Sequence, residues 1–243
     1  MHDYWLSKAS VAISRVTYDG GTRKNMEIPR VYLDTNILKA SATALRRYVP
    51  KERKVYLGPN NPEATVYDIG IVNPSASLMG EIKTEAELLP TLAEFGKQGT
   101  VRYFIHTETV FESWGLPKMR GNTTGRFYGA PIESAASPVQ YSRVMIGYYT
   151  QDPKEMQFDF LSGLNYKRFN ELQRMTGAYQ GPGKLDQNQL LDAFNIWCAE
   201  HNGCDFFLTL DFKLIRVVES SHKQTIRLVK PSKLLKHLEE LSR

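Results

Sequence analysis

The stretch Val31-Tyr32-Leu33-Asp34-Thr35-Asn36-Ile37-Leu38 decides the fold, because three apolar residues run into an acid and two small polar residues before apolar character resumes. A short apolar run bounded in this way fits a buried strand that stops at Asp34, with a helix opening at Thr35 and Asn36. Three further runs have the same character: residues 101–105, 206–208 and 226–229. Helical patterns lie between most of them. Thr84 with Glu87 has capping-box spacing ahead of Leu88, Leu89, Leu92 and Phe95, and Gly96 and Gly99 supply a stop. Asp152, Pro153 and Glu155 open a second helix, predicted to run as far as Gly177. Asp186 with Gln189 opens a third, ending at Asn202 and Gly203, and Pro231 opens a last one with Leu234, Leu235 and Leu238 on one face.

Strands alternating with helices predict an α/β fold: three layers, α/β/α, around a central, mainly parallel sheet, since each crossover must pass over a face of the sheet before the next strand. One domain over residues 1–243 is expected. Residues 1–29 read as an N-terminal extension. Residues 50–77, with a hairpin around 66–72, and 115–150 read as insertions, because neither has an apolar core of its own.

With 42% hydrophobic and 23% charged residues in 243, the chain can bury a sizeable core. The formal net charge of +5 leans toward a polyanionic partner. The first 30 residues hold no apolar stretch of the length a signal peptide or membrane span needs, so a cytoplasmic protein is expected. The two cysteines, Cys198 and Cys204, are too few for a disulfide framework and lack zinc-site spacing, and are expected to be core thiols.

In an open parallel sheet, ligands bind beyond the carboxyl ends of the strands. Asp34 stands directly after the first predicted strand, residues 107–112 follow the second, and Asp211 follows 206–208 through Thr209 and Leu210. The helix before that last strand must run antiparallel to it and start at the same edge. Asp192 lies six residues beyond Asp186, about 9 Å along the helix at 1.5 Å per residue. Four carboxylates gathered without matching basic residues would repel one another. A divalent cation resolves this, and oxygen-only ligands select Mg²⁺ or Mn²⁺ over zinc. Such sites act on phosphate groups.

These residues resemble the PIN family of metal-dependent nucleases. Leu33-Asp34-Thr35-Asn36-Ile37-Leu38 is similar to the family's first strand and first acid. Asp192-Ala193 through Ala199, Gly203, Asp205 and Phe207-Leu208-Thr209-Leu210-Asp211 is similar to its last helix and strand, with the third and fourth acids. Leu228-Val229-Lys230-Pro231 and the leucine-rich segment after it look like the family's closing element. The second acid best matches Glu112, with Glu108 as its rival. The resemblance implies an endoribonuclease in which Asp34, Glu112, Asp192 and Asp211 hold one or two Mg²⁺ or Mn²⁺ ions while Asn36 and Thr209 orient them. Water would attack phosphorus in line and leave 5′-phosphate and 3′-hydroxyl ends. It also implies the partners found in the family, an RNA substrate, and a cognate antitoxin or a second copy of the chain. The long gaps on either side of Glu112 depart from compact members.

Arg46 and Arg47, and the group Lys118, Arg120 and Arg126 near Trp114, Phe127 and Tyr128, are candidates for phosphate and base contacts, against the simpler reading of a solvated face. His106 and His201 read as structural, and Asp186 and Asp205 as capping or loop residues. Two other functions compete. A haloacid-dehalogenase-like phosphatase would need a second Asp where Asn36 stands, and a PIN-like module that only binds RNA or protein would have no use for all four acids.

Overall fold

The computed structural model describes residues 28–42, 45–55, 64–72, 77–114, 119–120, 126–141, 153–221 and 223–242. Five strands form one sheet: β1 (Arg30–Leu33), β4 (Arg102–Ile105), β6 (Ile132–Ser134), β7 (Phe206–Leu208) and β8 (Arg227–Val229), in the order β6-β4-β1-β7-β8. Every pairing in it is parallel, with Val31 opposite both Tyr103 and Phe206. The four apolar runs read from the sequence therefore became strands, and a fifth strand joins them at the edge.

Strand alternation divides the core into two halves. Val31, Leu33, Tyr103, Ile105, Phe206 and Leu208 point to one face, where they pack with Ile37 and Ala40 of α1 (Thr35–Ala40), Ala86 of α2 (Gly80–Ala86), Leu89 and Leu92 of α3 (Leu89–Lys97), and Leu234 and Leu238 of α9 (Pro231–Leu241). Tyr32, Phe104 and Phe207 point to the other. They meet Leu161 of α5 (Pro153–Ser162), Phe169 and Leu172 of α6 (Lys167–Thr176), Phe194 of α7 (Gln187–His201), and Leu214 and Val218 of α8 (Phe212–Glu219). The result is helix, sheet, helix. Tyr32 stacks on Phe207 with ring centroids 5.4 Å apart, and both are wholly buried, each contributing about 2–3 kcal/mol by area.

Several boundaries differ from the sequence expectation. Thr84 does not start a helix: it lies inside α2 and donates to the Gly80 carbonyl one turn back, while α3 begins after Leu88. The helix expected from Pro153 to Gly177 is two helices, α5 and α6, separated by residues 163–166 and closed by Gly177 in a left-handed conformation at φ 80°. The hairpin in the first insertion starts earlier than expected, pairing β2 (Leu45–Val55) antiparallel with β3 (Ala64–Val72). The stretch 115–150 is not wholly an insertion. Ile132–Ser134 supplies the edge strand β6, and β5 (Met119–Arg120) pairs with β2 in a second, three-stranded sheet. Most of the N-terminal extension lies outside the described residues. Among those described, no helix is long and apolar enough to cross a membrane.

Candidate functional site

The carboxyl edge of the sheet carries Asp34, Asn36, Thr209 and Asp211, which follow the ends of β1 and β7. Asp34 follows β1 directly, and its N–H donates to the Leu208 carbonyl of the neighbouring β7 at 3.1 Å, which fixes it at the point where both strands end. Its side chain is buried, with 4% exposure. Oδ1 accepts the Thr35 N–H at 2.6 Å. Oδ2 accepts both the Asn36 side-chain amide and the Thr209 hydroxyl, each at 2.6 Å. Thr209 Oγ1 in turn accepts from Asn36 Nδ2 at 2.9 Å and from the Asp211 N–H at 2.9 Å, and Asn36 Oδ1 accepts the Leu210 N–H at 3.0 Å. Asn36 and Thr209 thus lock Asp34 in one orientation and tie β1 to the loop after β7.

Asp211 is the N-cap of α8 and accepts the Leu214 N–H on Oδ1 at 2.9 Å, leaving Oδ2 uncommitted among the described residues. Asp192 lies on the second turn of α7, whose start is set by Asp186 accepting the Gln189 N–H at 3.0 Å. The half-buried Asp192 carboxylate makes no hydrogen bond or ion pair among the described residues. Glu112 sits on α4 (Thr107–Trp114), which packs against α1, and its Oε1 accepts Lys39 Nζ at 2.7 Å.

Electrostatics connect the four. Burial pushes the Asp34 carboxyl up to about 6, with the Glu112 charge adding to the effect and the Thr209 hydroxyl opposing it. Asp192 is raised well above the ordinary carboxylate range, first by burial and then by the charges of Asp34, Asp211 and Glu112. Asp34 and Asp192 thus each feel the charge of neighbouring acids as well as their own burial. Among the described residues no three acid, histidine or cysteine side chains converge tightly enough to enclose an ion as they stand, and Glu112 is turned toward Lys39. The donor set nevertheless suits a hard cation: it is all carboxylate oxygen, Asp192 has no partner among the described residues, and Asp211 has an oxygen to spare.

Glu108 has a different place. It is buried at 2% exposure, accepts the Tyr141 hydroxyl at 2.8 Å and Gln157 Nε2 at 2.7 Å, and so faces α5. Of the two rivals, Glu112 is the one whose charge bears on Asp34 and Asp192. His106 is buried and accepts the Glu108 N–H on Nδ1, and His201 is exposed at the end of α7. Asp205 accepts the Arg30 N–H at 2.8 Å, joining the starts of β1 and β7. Both cysteines are free and buried; burial raises the Cys198 thiol and pushes Cys204 up to about 12, so neither forms thiolate readily.

The basic candidates divide. The register of the second sheet sets Arg46 opposite Arg120 and Arg47 opposite Met119. Arg126 is exposed, and Lys118 lies outside the described residues.

Two features went unread in the sequence. Lys39 is the cation that meets Glu112, and its position three residues after Asn36, on the same face of α1, was the available signal. Beneath the acids, Tyr32 Oη bonds Thr109 Oγ1 at 2.9 Å and Asn195 Oδ1 at 3.1 Å, joining β1, α4 and α7 through buried groups. An Asn on the core face of α7 marked that junction. The chain matches no protein-family model, no curated protein and no solved structure.

Proposed function

We propose that the protein is a PIN-like, metal-dependent endoribonuclease of the cytoplasm, with Asp34, Glu112, Asp192 and Asp211 as its metal-holding acids. The observation that carries this reading is Asp192: a half-buried carboxylate without a partner among the described residues, whose pKa is raised first by burial and then by the charges of Asp34, Asp211 and Glu112. Such an arrangement costs stability and gains a purpose if a cation completes it. A bound Mg²⁺ or Mn²⁺ would supply Lewis acidity toward a phosphate oxygen and lower the pKa of a water molecule.

The chain's own groups have separable tasks in this reading. Asp34 is oriented in advance by Thr35, Asn36 and Thr209, so its geometry need not be found when substrate arrives. Asp211 approaches from the first turn of α8 and Asp192 from α7, on the two elements that flank β7 in sequence. Lys39 pairs with Glu112, and in this reading its ammonium would serve a phosphate oxygen where Glu112 turned to a cation. The Tyr32, Thr109 and Asn195 network fixes the elements that bear Glu112 and Asp192.

The test is cleavage of mixed structured and single-stranded RNA in Mn²⁺, in Mg²⁺ and in EDTA, with Asp34→Asn and Asp211→Asn variants alongside. Metal-dependent cutting that leaves 5′-phosphate ends and disappears in both variants is expected. Products ending in 2′,3′-cyclic phosphate would overturn the mechanism.

The second reading, a PIN-like module that binds RNA or protein without cutting, is favoured by one observation. The Lys39–Glu112 pair already neutralises one of the four acids. Lys39→Ala separates the two: in a nuclease it alters metal-dependent cutting, and in a binding module there is no cutting to alter.

A further inference from the structure

At the same edge of the sheet as the acids, one strand further along, lies a cavity of about 340 Å³ between α8, the end of β8 and the start of α9. We propose that it is a subsite for one nucleotide of a single-stranded RNA, with the base against Phe212 and Ile215 and a phosphate between Arg216 and Lys233. The identity of the polymer rests on the nuclease reading above; the cavity and its chemistry do not.

Continuity with the acids is the first argument. Phe212 directly follows Asp211, so the wall of the cavity and the metal-holding edge share consecutive residues, about 3.8 Å apart at Cα.

The lining is the second. Phe212 and Ile215 are half-buried side chains of α8, and Leu228 closes the floor from β8. The Lys230 ammonium lies over one face of the Phe212 ring, 5.8 Å from its centroid, so the opposite face is the one offered to a base, whatever its identity. The volume lies at the low end of small-ligand pockets, about 300–1,000 Å³, which suits one nucleotide and excludes a duplex.

The cations are the third. Lys230 is fixed as wall: its ammonium pairs with Glu81 and Glu85, each at 2.9 Å, and lies 5.8 Å from the Phe212 ring centroid. Arg216 and Lys233 form no ion pair among the described residues, and both are exposed. Arg216 Nε donates to the Phe212 carbonyl at 3.2 Å, which draws the guanidinium back toward the first turn of α8 and the carboxyl edge, with its terminal nitrogens left for another acceptor. A planar donor fork so placed matches a phosphate. Glu219 also lines the cavity, three residues after Arg216 and about 4.5 Å further along α8, so a phosphate is held on the Lys233 side of Arg216 and away from that carboxylate.

The test is fluorescence anisotropy of a 5′-fluorescein-labelled hexamer of single-stranded RNA in EDTA, where no cutting occurs, with thermal melting to show that each variant is folded. The Arg216→Ala/Lys233→Ala double variant and Phe212→Ala are each expected to weaken binding by roughly 5-fold or more, the lower end of one stacked base. Lys97→Ala, at the exposed end of α3, is expected to bind as the wild type does. Wild-type affinity in the double variant, or no binding of the hexamer by wild type, overturns the subsite. Cleavage is read separately: binding lost in the variants of a protein that cuts nothing keeps the subsite and removes the nuclease, and unchanged binding in one that cuts does the reverse.

Discussion

At the scale of single residues, the site is a balance between preorganisation and repulsion. Asp34 is held by three donors, whereas Asp192 is left beside other acids with none among the described residues. Asp192→Asn should therefore stabilise the metal-free protein, by about 1 kcal/mol or more, while abolishing activity. For a chain of this size that is a rise in Tm of roughly 2–4 °C, measured in EDTA. A fall in Tm with activity intact would contradict the role assigned to it. Thr209→Val acts in the opposite direction, because it strips Asp34 of a donor and leaves the part-buried Asp211 N–H without its acceptor. A loss of about 1–3 kcal/mol is expected in urea denaturation, and a change near zero would mean that the network carries no load. Asp34, Asn36, Thr209 and Asp211 were legible in the sequence because each follows a short buried strand within three residues. Lys39 and Asn195 were not, since their roles arise from a contact across 73 residues with Glu112 and across 163 with Tyr32.

At the scale of elements, apolar runs were the most readable signal. All four sequence-stretches that lack alternation became strands of the parallel sheet, because a strand covered on both faces needs apolar residues throughout. The Asp186 cap held for the same local reason. Edge strand β6 was hidden: its sequence, Ile-Glu-Ser, is polar at two of three positions, and its place depends on pairing with β4. Helix α8 was also unread, since its β-branched residues Ile215, Val217 and Val218 lower helix propensity, and the Asp211 cap together with packing of Leu214 and Val218 onto the sheet secures it. A packing constraint invisible in sequence sits at Gly96 in α3, where an added Cβ would lie 2.6 Å from Tyr103 Cε2 of β4. Gly96→Ala, which favours an isolated helix, is expected here to cost about 1–3 kcal/mol by overpacking. A gain in stability would show that Tyr103 can move aside, although its hydroxyl is held by the Leu92 carbonyl at 2.6 Å.

At the scale of the molecule, the two apolar layers and the single row of strand ends explain why acids from β1, α4, α7 and α8 reach one edge. The same burial sets an acid limit to stability. His106 is buried and its pKa is lowered, first by burial, so the unfolded chain takes up a proton that the folded one refuses. Stability should fall as pH drops from about 6.5, the ordinary histidine value, toward the lowered value in the fold. Glu85, tied to Lys230 and Ser232, has a lowered pKa despite the opposing effect of burial. Its contribution is present above about 4.5 and is lost as pH falls through its lower folded value. Asp34, raised to about 6, and Asp192 act with the opposite sign, because the fold takes up their protons before the unfolded chain does as pH drops. The His106 contribution is therefore read as a difference: between neutrality and about pH 5, urea midpoints in EDTA should fall less, or rise more, in His106→Phe than in wild type, and parallel curves would assign no such role to His106.

Titrating the metal-free protein with Mn²⁺, with free Mn²⁺ followed by electron paramagnetic resonance, reads whether the four proposed carboxylates hold a divalent cation. One or two ions bound per chain, lost or severely weakened in Asp34→Asn and Asp192→Asn variants that remain folded, is the expected result. Wild-type protein that binds no Mn²⁺ up to millimolar concentration, or variants that bind it as well as wild type does, would contradict the account.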